Sequence, residues 1–223
     1  MDREQYRVGF DNSRKEHYPR FSDAEFDRRR GTIRDLMDAH DLEVLLVYGQ
    51  GGFHTAKMSY LTGYEPPFPT YFAFFADEET ESTIFTGISN HVQYLKEASI
   101  IDDIRLMLPN TPMPVVDRLE EADVAGSRVG VVTDDPRYNL SIPHSHHEDF
   151  EQELNATLVD VTAAYTRATA VCSEPELDRV RRAGEILDDV MLAAEKALSP
   201  GISERGLSAV MEETAFGDPR REC

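Results

Sequence analysis

The stretch HTAKMSYLTGYEPPFPT, residues 54–70, comes after the apolar run EVLLVYG at 43–49 and the glycines of GQGG at 49–52. EVLLVY is too short for a helix and is bounded by glycine, so it reads as a buried strand. Residues 54–70 read as the end of that strand and a rigid turn, because Gly63, Pro66, Pro67 and Pro69 cannot continue a sheet ladder.

Upstream, Ser22 and Glu25 have capping-box spacing, and Phe26, Ile33, Leu36 and Met37 recur at helical spacing, so 22–40 reads as an amphipathic helix. Downstream, TYFAFFA and STIFTG are aromatic and β-branched runs around the acidic turn DEETE, the pattern of a β-hairpin. Helical and strand-like segments then alternate: NHVQYLKEA, DIRLM, PVVDRLEEA, RVGVV, HEDFEQEL, TLVDV. Such alternation implies an α/β layer structure with crossover helices.

The character changes at Ser173. Ser173 and Glu176 form a second capping box with Pro175 in the first turn. Leu177, Val180, Gly184, Leu187, Met191, Ala194 and Leu198 then step by threes and fours, which predicts one long helix with a buried face. SPG at 199–201 stops it, and Ser203 opens a short helix with Leu207, Val210 and Met211. The expected division is 1–165 and 166–223, the second piece being too small to bury a full core of its own.

Composition narrows the function classes. The chain has 223 residues, 42 acidic against 23 basic, and a formal net charge of −19. Such a surface repels phosphate backbones, so no nucleic-acid partner is expected. No apolar run approaches the length of a membrane span, so no membrane partner is expected. The charged beginning, MDREQYRVGF, is unlike a signal peptide and points to a cytoplasmic protein. Only Lys15, Lys57, Lys96 and Lys196 are lysines, and acid-rich, lysine-poor composition fits adaptation to high salt; an ordinary acidic protein is the alternative. Cys172 and Cys223 lack metal-type spacing and are not expected to pair.

None of the possible chemical constellations survives its spacing. HSHH at 144–147 holds three imidazoles, but a short local segment cannot converge them on one ion without strain, and Glu148 and Asp149 suit a helix start. His17, His40, His54 and His91 are scattered singly. Gly49, Gly51 and Gly52 lack the third glycine of a dinucleotide fingerprint, since position 54 is His54, and lack the Gly-Lys-Ser/Thr end of a Walker loop. GISNH at 87–91 fails as a nucleophile elbow, with His91 where glycine belongs. Asp102–Asp103 and Asp188–Asp189 read as solvated faces.

Two segments carry a resemblance. MSYLTGY at 58–64 resembles the Tyr-Leu-Thr-Gly-aromatic motif of the creatinase/prolidase family, the pita-bread metallopeptidases that include Xaa-Pro aminopeptidases. SEPELDRVRRAGEILDDVMLAAEKALSPGISERGL at 173–207 is similar to that family's linker and first catalytic-domain helices. Cys172 stands where the family usually has lysine, and Gly206 where an acidic residue is common.

The resemblance implies an N-terminal-type mixed sheet flanked by helices, then a long and a short helix from a truncated pita-bread domain. It further implies a divalent metal pair (Mn, Co or Zn) and a peptide or small amide substrate in a full-length relative. The family's two Asp, one His and two Glu ligands lie further along than this sequence reaches, so no catalytic or metal residue is assigned. No histidine comes after Gly201, and Asp218 has no partner ligand. His54, Tyr60, Tyr64 and Glu65 are implied to lie near substrate. Two functions stand as expectations: the N-terminal portion of a metallohydrolase, inactive alone, or a non-catalytic binding or dimerisation domain. The expected partner is a second copy or the missing catalytic domain.

Overall fold

The computed structural model describes residues 21–49, 56–107, 111–124, 126–132 and 142–217. It divides the chain into two units, one ending at Ala170 and one beginning at Val171. The break falls a few residues beyond the expected 165, because Tyr165 is fully buried in the first unit.

In the first unit the helices are α1 (Asp23–Ala39), α2 (Ala56–Thr62), α3 (Val92–Ala98), α4 (Met113–Glu121), α5 (His144–Leu154) and α6 (Thr162–Ala168). The strands are β1 (Val44–Gly49), β2 (Thr70–Phe75), β3 (Thr83–Thr86), β4 (Asp103–Leu106), β5 (Arg128–Val132) and β6 (Thr157–Asp160). They form one sheet in the order β4-β3-β2-β1-β5-β6. β2 pairs antiparallel with β1 and β3, whereas β1–β5, β3–β4 and β5–β6 are parallel. The sheet is therefore mixed, with β2 alone reversed. The expected β2–β3 hairpin and all six strands are present.

β1 is central and buried along its length, which is why its sequence is a continuous apolar run. Its side chains still alternate between faces. Leu45 and Val47 join a core with Ile33 and Met37 of α1, Met58 and Leu61 of α2, Leu95 of α3 and Tyr165 of α6. Val44, Leu46 and Tyr48 join a second core with Val115, Val116 and Leu119 of α4 and Phe150 and Leu154 of α5.

The second unit is α7 (Glu174–Ala197) and α8 (Glu204–Phe216). Ser173 and Glu176 make the full capping box, with the Ser173 amide donating to Glu176 Oε2 at 2.6 Å. The expected buried face of α7 needs correction. α8 packs against α7, and the buried residues are Val190 and Ala194, whereas Val180, Leu187, Met191 and Leu198 are exposed. Periodicity finds an apolar stripe; which flank is covered depends on where the neighbour lands.

Candidate functional site

The carboxyl ends of the parallel strands share one edge, where Gly49 pairs with Thr70, Thr70 with Thr86, and Thr86 with Leu106. Ligands of α/β sheets gather at such edges, and the loop leading into Thr70 lies there.

MSYLTGY is not the strand end and turn that its sequence suggested. Residues 56–62 form α2, with Met58 and Leu61 in the core, and only the residues after it turn. Helix α2 ends at Gly63, whose φ of 73° is the left-handed conformation that glycine adopts freely. The Gly63 amide closes the last turn on the Ser59 carbonyl at 2.8 Å.

Thr62, fully buried, anchors this end. Its hydroxyl donates to the Met58 carbonyl at 2.9 Å and accepts from the Tyr64 amide at 3.0 Å. Its carbonyl accepts from the Ile100 amide at 3.0 Å and the Ser99 hydroxyl at 3.2 Å. The motif thus welds α2 to the segment after α3. Pro66 seats the adjoining loop on β1, so closely that a Cβ at Gly49 would lie 2.8 Å from the proline ring.

Of the residues implied to lie near substrate, His54 is outside the described residues. Tyr60 is buried: its carbonyl accepts from Arg29 Nη1 at 3.2 Å, and the Arg29 guanidinium lies 4.9 Å from its ring. Tyr64 is buried beside Tyr94, with ring centroids 5.8 Å apart, and burial pushes its phenol up to about 12. Both tyrosines therefore spend their rings on packing within this unit. Glu65 alone is exposed. Phe68, stacked edge-on against His91 at 5.1 Å, extends the exposed surface beside it. The edge thus offers one carboxylate, one imidazole and an aromatic face, which suits contact with a ligand or a neighbouring domain.

HSHH opens α5 as expected and splits into two environments. His144 and His147 point outward beside Glu148 and Glu151. His146 is buried, and its Nδ1 shares a 3.0 Å hydrogen bond with the Tyr71 hydroxyl, itself 4.8 Å ring to ring from Tyr48. Burial holds the His146 pKa below its ordinary value, with Asp149 opposing in part. The neutral imidazole is thus favoured in the fold, and the unfolded chain binds the extra proton first. The stability His146 contributes is complete above about pH 6.5, the unfolded value, and is lost as pH falls through that value toward the folded one. Urea midpoints between pH 7.5 and 5.5 should fall more steeply for the wild type than for His146→Gln; parallel slopes would show that His146 does not titrate with unfolding.

Asp103 corrects the reading of Asp102–Asp103 as a solvated pair. Asp102 is exposed, but Asp103 is buried with Arg105 and Arg118 at the opposite edge of the sheet. This network was missed because its members are far apart in sequence. Among the described residues, no three His, Cys, Asp or Glu side chains come together in a way that could hold a metal ion.

The comparisons with known proteins agree with the topology. Residues 29–171 match the family model of the creatinase/prolidase N-terminal domain. An uncharacterised hydrolase/peptidase of Sinorhizobium fredii, y4tM, is 26% identical over 204 residues, covering 86% of this chain and 50% of that protein. The prolidase of Pyrococcus horikoshii superposes with a TM-score of 0.58 at 19% identity, over 84% of this chain and 48% of its own. The X-Pro aminopeptidase of Thermotoga maritima gives 0.64 at 14% identity, over 83% and 48%. Dipeptidase PepE of Mycobacterium ulcerans gives 0.61 at 20% identity, over 89% and 51%. These structural likenesses show the fold, and the chain spans about half the length of the relatives it matches. With the domain model covering most of the sheet unit, the chain belongs to the creatinase/prolidase family.

Proposed function

We propose that this chain is the N-terminal portion of an Xaa-Pro peptidase-like metallohydrolase, a non-catalytic part whose hydrolytic centre is supplied by sequence outside it. The observation that carries this reading is the match of residues 29–171 to the N-terminal domain, on a chain half as long as its relatives. The family implies a divalent metal pair, and the described residues do not fit one, since no donor cluster forms among them. Two cations sharing a nucleophilic water need several carboxylates and an imidazole on rigid elements, so no hydrolytic step is assigned to these residues.

In this reading the carboxyl edge shapes access to a neighbouring substrate cleft. Glu65 borders that cleft, while Tyr60 and Tyr64 hold the turn that presents it, and the resemblance implies a place near substrate for His54 as well. The substrate class is a dipeptide or other small amide. A cytoplasmic location belongs to the same reading, in keeping with the free, exposed thiol of Cys172.

The chain, purified and supplied with Mn²⁺, Co²⁺ or Zn²⁺, should neither take up a pair of ions in calorimetry nor cleave an Xaa-Pro dipeptide. Turnover above a metal-only blank that is abolished by chelator would overturn the reading.

A further inference from the structure

The buried stripe of α5 is His146, Phe150 and Leu154, one side chain every four residues. Phe150 and Leu154 lie in the second core together with Ile142, which precedes the helix. His146 is the polar member of this otherwise apolar row, and it is 4% exposed. Its partner Tyr71 also meets the Phe150 ring edge-on at 5.7 Å and the Tyr48 ring at 4.8 Å. Tyr48 pairs with Tyr71 across β1 and β2, next to the Gly49 and Thr70 pair at the carboxyl edge. The first turn of α5 thus docks beside that edge through an imidazole.

We propose that His146 is a proton-operated latch. Neutral, it holds the first turn of α5 on Tyr71; protonated, it releases that turn and uncovers Tyr48 and Tyr71, while Phe150 and Leu154 keep the rest of the helix on the sheet.

The surroundings disfavour an imidazolium at this position. His146 is the third residue of α5, at the positive end of the helix dipole. β1 and β2 present the phenols of Tyr48 and Tyr71, which burial keeps protonated, and α4 brings Val115, Val116 and Leu119 to the same core. On α5 itself Asp149 favours the charged ring but does not outweigh burial. His144 and His147 are exposed beside Glu148 and Glu151, at 3.6 and 3.5 Å, so they can take up protons without moving the turn. A neutral imidazole can accept the Tyr71 proton at Nδ1; an imidazolium has only donors and cannot.

Little else holds the turn. Pro143 caps α5 without a side-chain hydrogen bond, and the His146 and His147 amides close on the Pro143 carbonyl at 2.9 and 3.1 Å. Apolar Phe150 and Leu154 grip the sheet at any pH, so release stops at the first turn. Where the carboxyl edge shapes access to a substrate cleft, the latch makes that access pH-dependent; this consequence rests on the functional reading, and the latch itself rests on packing.

Amide exchange on the full chain, expressed as protection relative to the unfolded chain, tests this between pH 7.5 and 5.5. Protection at His146 and His147 should fall by about fivefold to tenfold, because a released imidazole with the ordinary value of 6.5 takes up the proton that the docked ring refuses. Leu46 and Val47 of β1 should keep theirs. His146→Gln can still accept from Tyr71 but does not titrate, so its first turn should stay protected throughout. The double variant His144→Gln and His147→Gln should lose protection at the His146 amide as the wild type does. Imidazole proton resonances of the wild type give a second measurement that needs no variant: His146 should titrate below His144 and His147, and the loss of protection should follow its curve.

Protection unchanged with pH, or lost equally in His146→Gln, would overturn the proposal. Simultaneous loss at Phe150, Leu154 and β1 would do the same, since it would mean unfolding of the whole unit. Peptide hydrolysis enters none of these measurements, so the latch and the functional reading fail independently.

Discussion

Asp103→Ala is expected to destabilise the first unit by about 3–5 kcal/mol, the cost of leaving buried charge without its partner. Asp103 Oδ2 accepts from the Thr83 hydroxyl at 2.7 Å and from Arg105 Nε at 3.0 Å, with Arg118 Nε at 3.7 Å. Thr83 in turn accepts from Arg118 Nε at 3.0 Å, so its hydroxyl is used as both donor and acceptor. Arg118 also donates to the Glu81 carbonyl at 2.7 Å and lies 4.8 Å from the Phe75 ring, while Arg105 reaches Glu121 at 2.8 Å.

One carboxylate thus ties β3, β4 and α4 together. Its removal leaves two buried guanidinium groups facing each other with Glu121 as the nearest compensation. Asp103→Asn, which keeps a polar side chain of nearly the same shape, should cost less. Replacing the network as a whole, with Asp103→Leu, Arg105→Met and Arg118→Met together, should cost less than Asp103→Ala alone, because no unpaired charge is then buried. Urea unfolding of the three variants decides it; a loss below about 1 kcal/mol for Asp103→Ala would mean that water reaches and solvates the pair.

The contrast between Asp103 and β1 shows what a linear reading can reach. β1 was legible because a strand buried on both faces writes its environment into consecutive residues. The β2–β3 hairpin was legible for a related reason, since the acidic turn DEETE lies between two apolar runs. Asp103 was misread because its neighbours in sequence are Asp102 and Ile104, whereas its partners are Thr83 and Arg118, brought close only by strand pairing.

Helices α2 and α6 escaped for a different reason. Each is seven residues long, about two turns, and isolated helices of this length are unstable in water. Packing makes them: Met58 and Leu61 hold α2 on the sheet, and Tyr165 holds α6 by donating its hydroxyl to the Lys57 carbonyl at 2.6 Å. The candidate site shares this limit. The motif at 58–64 builds the turn beside the carboxyl edge, yet its tyrosines face inward, and Glu65 and Phe68 after it are exposed. A motif can mark the place that positions a site without itself contributing the reacting groups.

The melting midpoint should rise by roughly 5–10 °C between 0.1 M and 2 M KCl, equivalent to about 2–3 kcal/mol for a chain of this size. Adaptation to high salt is our proposal for the composition, 42 acidic against 23 basic residues. Basic charge is already engaged locally: Arg28 and Arg29 on Glu25, Arg105 and Arg118 on Asp103, Arg181 on Glu174 and Asp178. The net excess is therefore carboxylate, and folding brings these groups closer than they stand in the extended chain. At 0.1 M they interact over about 10 Å, and at 1 M over about 3 Å, so added salt relieves the folded state more than the unfolded one. The buried Asp103 network is largely shielded from this screening and should keep its contribution at both concentrations. Chloride is the right anion, because sulfate strengthens apolar burial in any protein and would mask the effect. Screening alone should deliver most of the rise below about 1 M, whereas a midpoint that is flat or falls across the series would remove the high-salt reading and leave an ordinary acidic protein.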